Sequence, residues 1–214
     1  MDRNRGTVSL ASYLQYKLTT FLLIRHGLTD AVGHRITGRL PGVHLNDTGR
    51  SQAARLPDRV ARWKIDAIYS SPLERARETA APVAEKLGLP VRPEISFAEF
   101  DFGEWSGMLI SELDQREDWK RFCHFRSGLR APGGEMLPEV AIRFVSALQT
   151  LLTQHPDQIV AVFSHADAIK AGLMHYLSIP FDHIHRLDIQ PASISVLRLR
   201  DWGPQVQAVN LSEQ

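Results

Sequence analysis

Residues 21–27 have the sequence FLLIRHG, in which four apolar residues are followed at once by Arg25, His26 and Gly27. A short apolar run of this length is typical of a buried β-strand, and the glycine then ends it. In open α/β sheets, ligands bind at the carboxyl ends of the strands. We therefore predict that Arg25 and His26 lie at a ligand site. His26 is the candidate nucleophile for phosphoryl groups, and Arg25 is the candidate phosphate-binding residue.

The composition is that of an ordinary globular domain, with 214 residues, of which 43% are apolar and 23% are charged. This length is enough for one domain with a substantial core. The net charge of +1 gives no reason to expect nucleic acid or an anionic membrane as a partner. The apolar runs are too short to span a bilayer, and the residues before the first strand show no secretory signal.

Cys123 is the only cysteine, which excludes an intrachain disulfide and a metal cluster built from cysteines. A reducing compartment suits such a chain, and we expect it in the cytoplasm. We divide the chain into an N-terminal extension, 1–18, which forms a short helix or a frayed tail, and a single domain, 19–214. A homodimer is compatible with the sequence.

Apolar runs and segments with helical spacing alternate along the chain. The predicted strands lie at about 20–25, 65–69, 90–92, 159–163, 193–199 and 206–209. The predicted helices lie at about 51–56, 72–87, 138–152 and 167–178. This alternation predicts a three-layer α/β fold, in which a mostly parallel sheet carries helices on both faces.

Polar residues and prolines predict where two of these helices begin and where they are disturbed. Thr48 is predicted to cap the first helix, and Pro57 to kink or interrupt it. Ser71 is predicted to cap the second helix, with Pro72 at its first position and Pro82 disturbing its middle.

Two regions outside the periodic segments are candidates for contacts with a ligand. The loop after Gly27 is polar and rich in glycine, and Thr37, Gly38 and Arg39 are its candidate contact residues. Residues 95–135 have the weakest periodicity and contain many aromatic residues. We predict that they form a loop with short helices, a cap-like insertion over the site.

A second histidine and a second arginine also follow strand ends. His165 comes directly after the apolar run 159–163, and Arg75 lies in the first turn of the helix after 65–69. Arginine offers a planar, permanently charged fork that matches the oxygens of a phosphoryl group. A neutral imidazole is a good nucleophile, and the phosphoramidate that it forms can later be hydrolysed.

This set lacks a proton donor for the leaving oxygen. Glu99, Asp101 and Glu104 are candidates, because an acid on a partly desolvated aromatic loop has a raised pKa and stays protonated near neutrality. Composition alone does not choose among the three.

Five motifs occur in order along the chain. They are LIRHG at 23–27, SSPLERA at 70–76, Glu99 with FGEWSG at 102–107, PGGE at 132–135, and SH at 164–165. In these motifs the chain resembles the histidine phosphatase superfamily, which has the phosphoglycerate mutase-like fold. The resemblance covers about residues 20–200. Each motif alone is weak, whereas five in this order are specific.

The resemblance implies a catalytic role for each matching residue. His26 would be the nucleophile that becomes phosphorylated, and Arg25, Arg75 and His165 would bind the phosphoryl oxygens. Glu99 would protonate the leaving alcohol and then help to deprotonate the water that attacks phospho-His26. Neither a metal nor a cofactor is implied, because the cationic pocket takes over charge neutralisation.

The sequence departs from the family pattern at positions that often touch the substrate. Many members have a polar residue where Leu28 stands, an asparagine where Val32 stands, and Gly-Gly where Ala166 and Asp167 follow the second histidine. These differences concern the identity of the substrate more than the chemistry. The predicted substrate-binding residues are Arg25, Thr37, Gly38, Arg39, Arg75, His165 and Ala166.

The compact chain and its FGEWSG motif resemble the phosphatase branch more than the longer phosphoglycerate mutases of the family. The resemblance therefore implies a metal-independent hydrolase of a small phosphomonoester that works through a phosphohistidine. Two alternatives stay open. One is a phosphoglycerate mutase-type phosphotransferase, and the other is a catalytically silent phosphate-binding member.

Overall fold

The first strand, β1 (Leu18–Arg25), lies in the interior of the sheet and is buried on both faces. The computed structural model describes residues 18–200 and 202–212. Alternate side chains of β1 face opposite layers, so that Phe21 and Leu23 join one core cluster while Leu22 and Ile24 join the other. An apolar residue at every position of 21–24 is therefore what a strand covered on both faces requires.

Six strands form one sheet in the order β3-β2-β4-β1-β5-β6. Their bounds are Leu18–Arg25, Ala67–Ser70, Val91–Pro93, Ile159–Ser164, Ile194–Arg200 and Gly203–Leu211. The first four strands pair in parallel, whereas β5 and β6 pair antiparallel at one edge. The predicted mostly parallel sheet is confirmed.

Helices cover both faces of this sheet. Their bounds, α1 to α6, are Asp47–Arg59, Glu74–Leu87, Ile110–Leu113, Glu117–His124, Leu137–Gln154 and Ala166–Leu177. The pair α1 and α2 packs on one face, and the pair α5 and α6 packs on the other. Within the described ranges, no helix is long and apolar enough to cross a membrane.

The predicted helix starts are wrong at two places. Asn46, not Thr48, caps α1, since its side chain accepts a hydrogen bond from the Gly49 amide at 2.9 Å. The N-cap of α2 is Leu73, because the hydroxyl of Ser71 is bonded to His165 and the helix starts later, at Glu74. Thr48 lies inside α1, and the Ser71 hydroxyl is used for a tertiary contact with His165 that local sequence does not specify.

The prolines do not interrupt the helices, because α1 continues through Pro57 and α2 through Pro82. Each proline removes one backbone hydrogen bond. Leu56, next to Pro57, and Val83, next to Pro82, are fully buried in the core cluster between the sheet and these helices. Burial of that apolar surface offsets the lost hydrogen bond. The predicted N-terminal extension, 1–18, ends one residue too late, because Leu18 belongs to β1. Residues 1–17 lie outside the described part of the chain.

The segment 95–135 consists of loops and short helices, as predicted. Two 3₁₀ turns, Ile95–Phe97 and Gly103–Trp105, precede α3 and α4. Buried aromatic rings replace regular periodicity as the basis of its packing, with ring centroids 4.6–6.4 Å apart. The rings belong to Phe100, Phe102, Trp105, Trp119 and Phe122.

Gly103→Ala is expected to lower the free energy of unfolding by about 2–4 kcal/mol. Gly103 has φ +52°, and a Cβ there would lie 2.0 Å from the Pro132 carbonyl oxygen. Gly33→Ala is the control, because Gly33 has φ +82° but no atom within 4 Å of its Cβ position. Urea unfolding of both variants measures the difference, and equal losses would contradict the close approach of the two backbones.

Candidate active site

Two histidines meet at the carboxyl ends of the neighbouring strands β1 and β4. The parallel register places Arg25 beside Ser164, and the His26 amide donates to the Ser164 carbonyl at 2.9 Å. The rings of His26 and His165 consequently lie 5.2 Å apart, centroid to centroid, and both are buried. Strand pairing therefore brings together two residues that are 139 positions apart in sequence.

The ring of His26 is held in one orientation and one tautomer. Its Nδ1 lies 2.7 Å from the Gly27 carbonyl oxygen, and a carbonyl only accepts, so that Nδ1 carries the hydrogen. Nε2 then carries the lone pair, and it makes no hydrogen bond within residues 18–200 and 202–212. Burial, and next the charges of Arg75 and Arg25, hold the pKa of His26 well below its ordinary value of 6.5.

Two arginines with incompletely used guanidinium groups lie beside this ring. Arg75 is 1% exposed, and it donates to the Gly38 carbonyl at 2.7 Å. Arg25 donates to the Ile189 carbonyl at 2.6 Å. The buried Nε and Nη1 of Arg75 and Nε of Arg25 have no hydrogen-bond partner among the described residues. Since a buried, unpaired cation is costly, this arrangement favours an anion as ligand.

His165 completes this group from the side of β4. Its Nε2 is hydrogen-bonded to the Ser71 hydroxyl at 2.7 Å, while its buried Nδ1 has no partner in the described part of the chain. Burial lowers the pKa of His165 most, followed by the charges of Arg75 and His26. A neutral His165 can offer Nδ1 to a bound phosphoryl oxygen.

Glu99 is the predicted proton donor that reaches this site. Its Oε1 accepts hydrogen bonds from the amides of Phe100, at 2.9 Å, and Ala168, at 3.3 Å. Burial raises the pKa of Glu99 most, and the neighbouring Asp167 carboxylate raises it further. Of the three candidate acids, Glu99 alone lines the cavity described next; Asp101 accepts from the Gly103 amide instead.

A cavity of about 180 Å³ opens in front of His26. Of the predicted substrate-binding residues, Arg25, Thr37 and Gly38 line it, whereas Arg39, Arg75, His165 and Ala166 do not. Arg39 instead donates to the Glu135 carboxylate at 2.8 Å and to the Glu99 carbonyl at 3.0 Å. The lining residues are Arg25, His26, Thr29, Ala31, Val32, Gly33, Arg35, Ile36, Thr37, Gly38, Glu99, Phe102, Ile110 and Asp167.

The chain matches a known protein family along most of its length. The family model described as "Histidine phosphatase superfamily (branch 1)" matches residues 21–212. The chain belongs to this superfamily. The match includes every residue of the constellation around His26, and it confirms the resemblance found in the five motifs.

Several relatives of this histidine phosphatase family member are named phosphatases. Phosphoserine phosphatase 1 of Hydrogenobacter thermophilus is 30% identical over 200 residues, which cover 91% of this chain and 93% of that protein. A mycobacterial glucosyl-3-phosphoglycerate phosphatase, solved with inorganic phosphate, superposes with a TM-score of 0.79. Its identity is 27%, with coverage of 90% of this chain and 97% of that one.

A third comparison includes a bound amino-acid phosphate. A mutant phosphoserine phosphatase from Entamoeba histolytica, solved in complex with phosphoserine, superposes with a TM-score of 0.81 at 25% identity. The match covers 90% of this chain and 96% of that one. The phosphoglycerate mutase-like fold is thereby confirmed for this chain.

The support around Glu99 in this family member was not among the features predicted from the sequence. Arg143 donates to the Glu99 carbonyl at 3.0 Å and to Glu135 at 3.0 Å, and Glu135 also accepts from Arg39. These contacts fix the backbone from which the Glu99 side chain projects. PGGE at 132–135 contains Glu135, but nothing in the sequence pairs it with Arg143.

Asp167, for which no role was predicted from the sequence, also lines the cavity. Asp167 follows His165 by two positions, and its Oδ2 accepts from Arg126 at 2.7 Å. Arg126 has a side chain that is 4% exposed. The departure from Gly-Gly at 166–167 was the available signal, since it places a charge beside a candidate catalytic histidine.

Proposed function

We propose that this protein is a metal-independent phosphomonoester hydrolase that works through phosphorylation of His26. The observation that carries this proposal is the arrangement at the strand ends. A neutral imidazole with a free Nε2 lies beside the buried Arg75 and the half-buried Arg25, whose N–H groups are incompletely paired. Arg25 and Arg75 supply the charge neutralisation that a metal ion gives in other phosphatases.

The first step transfers the phosphoryl group to the enzyme. Nε2 of His26 attacks phosphorus, so that a P–N bond forms while the P–O bond to the alcohol breaks. The leaving oxygen takes the proton from the carboxyl group of Glu99. Arg25, Arg75 and His165 stabilise the charge on the non-bridging oxygens.

The second step returns His26 to its free state. The Glu99 carboxylate accepts a proton from a water molecule, whose oxygen bonds to phosphorus while the P–N bond breaks. Inorganic phosphate leaves, and Glu99 is again protonated for the next cycle. The raised pKa of Glu99 suits it to hold the proton in one step and regain it in the other.

Hydrolysis is favoured over transfer because two relatives, matched over 200 and 176 residues, are named phosphatases. Their names refer to phosphoserine and to glucosyl-3-phosphoglycerate. The cavity of about 180 Å³ supports the smaller kind of substrate. We therefore infer a phosphomonoester with a short leaving alcohol.

Phosphate release from p-nitrophenyl phosphate in excess chelator tests the proposal. We expect chelator-resistant turnover, with a phosphorylated histidine trapped by rapid quenching. A phosphoglycerate mutase would instead move phosphate between positions of phosphoglycerate with little free phosphate, and a silent member would do neither. Turnover that disappears with chelator would contradict the metal-independent mechanism.

The pH profile for an alkyl phosphate is expected to fall on the alkaline side. Glu99 must be protonated to release an alkoxide, and its raised pKa sets that limb above the ordinary range of a glutamate. Because the pKa of His26 is lowered, the nucleophile stays neutral well below pH 6.5. Steady-state kcat/KM across pH measures both limbs. Activity that rises through pH 6.5 would contradict a neutral His26.

A further inference from the structure

The cavity in front of His26 contains a second, differently placed carboxylate, that of Asp167. Oδ2 of Asp167 accepts from Arg126 at 2.7 Å, whereas Oδ1 accepts no hydrogen bond from the residues that the structure describes. One oxygen is therefore anchored and the other is available at the cavity wall. In the mechanism proposed above, Asp167 acts on the pKa of Glu99 but has no contact with the substrate.

The anchor of this carboxylate is rigid. Arg126 is 3% exposed, and its guanidinium carbon lies 4.4 Å from the ring centre of Phe122 and 4.9 Å from that of Phe100. Stacking on aromatic faces restrains the arginine, and the arginine in turn holds Asp167. A preformed position allows a carboxylate to select a partner without a large ordering cost.

Asp167 carries a negative charge in this setting. Burial alone would raise its pKa, but the charges of Arg126 and Lys170 and the hydrogen bond from Arg126 hold that pKa below its ordinary value. The neighbouring cavity wall includes the apolar side chains of Phe102 and Ile110. Apolar walls reduce solvent screening, which strengthens the interaction of the carboxylate with a charged ligand.

The position of Asp167 relative to Glu99 determines which part of a substrate it meets. Glu99 accepts from the amide of Ala168, the residue after Asp167, and the Asp167 charge acts on Glu99, so both carboxylates lie near the start of α6 on the wall of the same cavity. Glu99 faces the leaving oxygen in the proposed mechanism. A substituent close to that oxygen therefore lies beside Asp167.

From this placement we infer that Asp167 is a specificity residue that selects phosphomonoesters whose short leaving alcohol carries an ammonium group. This inference rests on the proposed function, and it deepens that function by naming a substrate class. An ammonium donates to the available Oδ1 and balances the carboxylate charge. A carboxylate at the same place is repelled by Asp167 and by the ionised form of Glu99.

Three phosphomonoesters of similar size test the inference: 2-aminoethyl phosphate, propyl phosphate and phosphoglycolate. We expect kcat/KM of the wild type for 2-aminoethyl phosphate to exceed that for propyl phosphate by about tenfold, with phosphoglycolate lowest. In Asp167→Asn, the value for 2-aminoethyl phosphate should fall to that for propyl phosphate. The asparagine oxygen can still accept from Arg126, so the anchor is retained.

Asp188→Asn is the matched control. The charge of Asp188 also acts on Arg25, but Asp188 is exposed and does not line the cavity. It should keep the preference for the ammonium compound. A wild type without that preference, or an Asp167→Asn variant that keeps it, would overturn the inference. Equal slowing of all three esters by Asp167→Asn would also overturn it, because it would mean that Asp167 acts by raising the pKa of Glu99 and not by selecting the substrate.

p-Nitrophenyl phosphate separates this inference from the proposed function. If the wild type releases p-nitrophenol without metal but shows no preference among the three alkyl esters, the hydrolase proposal stands and the role of Asp167 is wrong. If the wild type releases no phosphate from any of the four compounds, both proposals fail. The order of the three esters in the wild type decides the inference even where a variant is poorly folded.

Discussion

His26→Ala is expected to reduce phosphate release from every phosphomonoester by at least about 10⁴-fold. The substitution removes the only atom that the proposed mechanism uses to bond phosphorus, Nε2 of the neutral ring. Water cannot take its place efficiently. The hydrogen bond from Nδ1 to Gly27 and the position at the strand end orient the imidazole ring, and they would not orient a water molecule in its place. Steady-state kinetics with p-nitrophenyl phosphate measures the loss.

Phosphate binding is expected to persist in the same variant. Arg25 and Arg75 keep their unpaired N–H groups when the imidazole is removed, and they remain charged. Calorimetric titration with inorganic phosphate should therefore show binding in both the wild type and His26→Ala. Loss of binding together with activity would indicate a disturbed pocket in place of a missing nucleophile.

His34→Ala is the matched control for His26→Ala. His34 lies on the same loop system but is exposed and does not line the cavity. We expect its activity to stay within about twofold of the wild type, since an exposed side chain away from the site contributes little. Activity of His26→Ala within tenfold of that of His34→Ala would exclude the phosphohistidine mechanism.

The elements that the sequence predicts well are those set by local pattern. The run at 21–24 is apolar at every position because β1 is covered on both faces, and 159–163 in β4 is apolar for the same reason. Two polar segments that directly follow parallel, neighbouring strands must begin near each other, because the carboxyl ends of the two strands are adjacent. The meeting of His26 and His165 therefore follows from strand pairing, once the order of strands is known.

The features that the sequence did not predict depend on contacts between distant segments. Arg126 and Asp167 are 41 positions apart, and Asp167 differs from the family pattern without revealing its partner. Arg39 is a residue type that binds phosphate, but its guanidinium donates a hydrogen bond to Glu135, 96 positions away. Carboxylates of the folded chain compete with a substrate for each arginine. Local sequence does not show whether a given arginine binds a carboxylate of the chain or the substrate.

Glu99→Gln is expected to slow hydrolysis of alkyl phosphates by about 10²–10⁴-fold. Glutamine keeps the shape of the side chain and can still accept from the amides of Phe100 and Ala168. It has no proton to give to the leaving oxygen. A poor leaving group, such as an alkoxide, needs that proton, whereas p-nitrophenolate is stable without it.

The effect should therefore depend on the leaving group. Transfer of the phosphoryl group from p-nitrophenyl phosphate to His26 should be slowed far less than transfer from an alkyl phosphate, and rapid quenching measures this step separately from hydrolysis of the intermediate. The alkaline limb of the pH profile for alkyl phosphates should disappear as well, because that limb reports deprotonation of Glu99. An equal loss for both kinds of ester would remove Glu99 from the acid role.

Glu104→Gln is the comparison that isolates this chemistry. Glu104 lies on the same aromatic segment, but it is exposed and does not line the cavity, so its loss removes a similar charge without removing the proton donor. We expect wild-type dependence on the leaving group in this variant. A Glu104→Gln variant that behaves like Glu99→Gln would mean that the charge of the segment, and not a proton held at one carboxyl beside the leaving oxygen, supports the reaction.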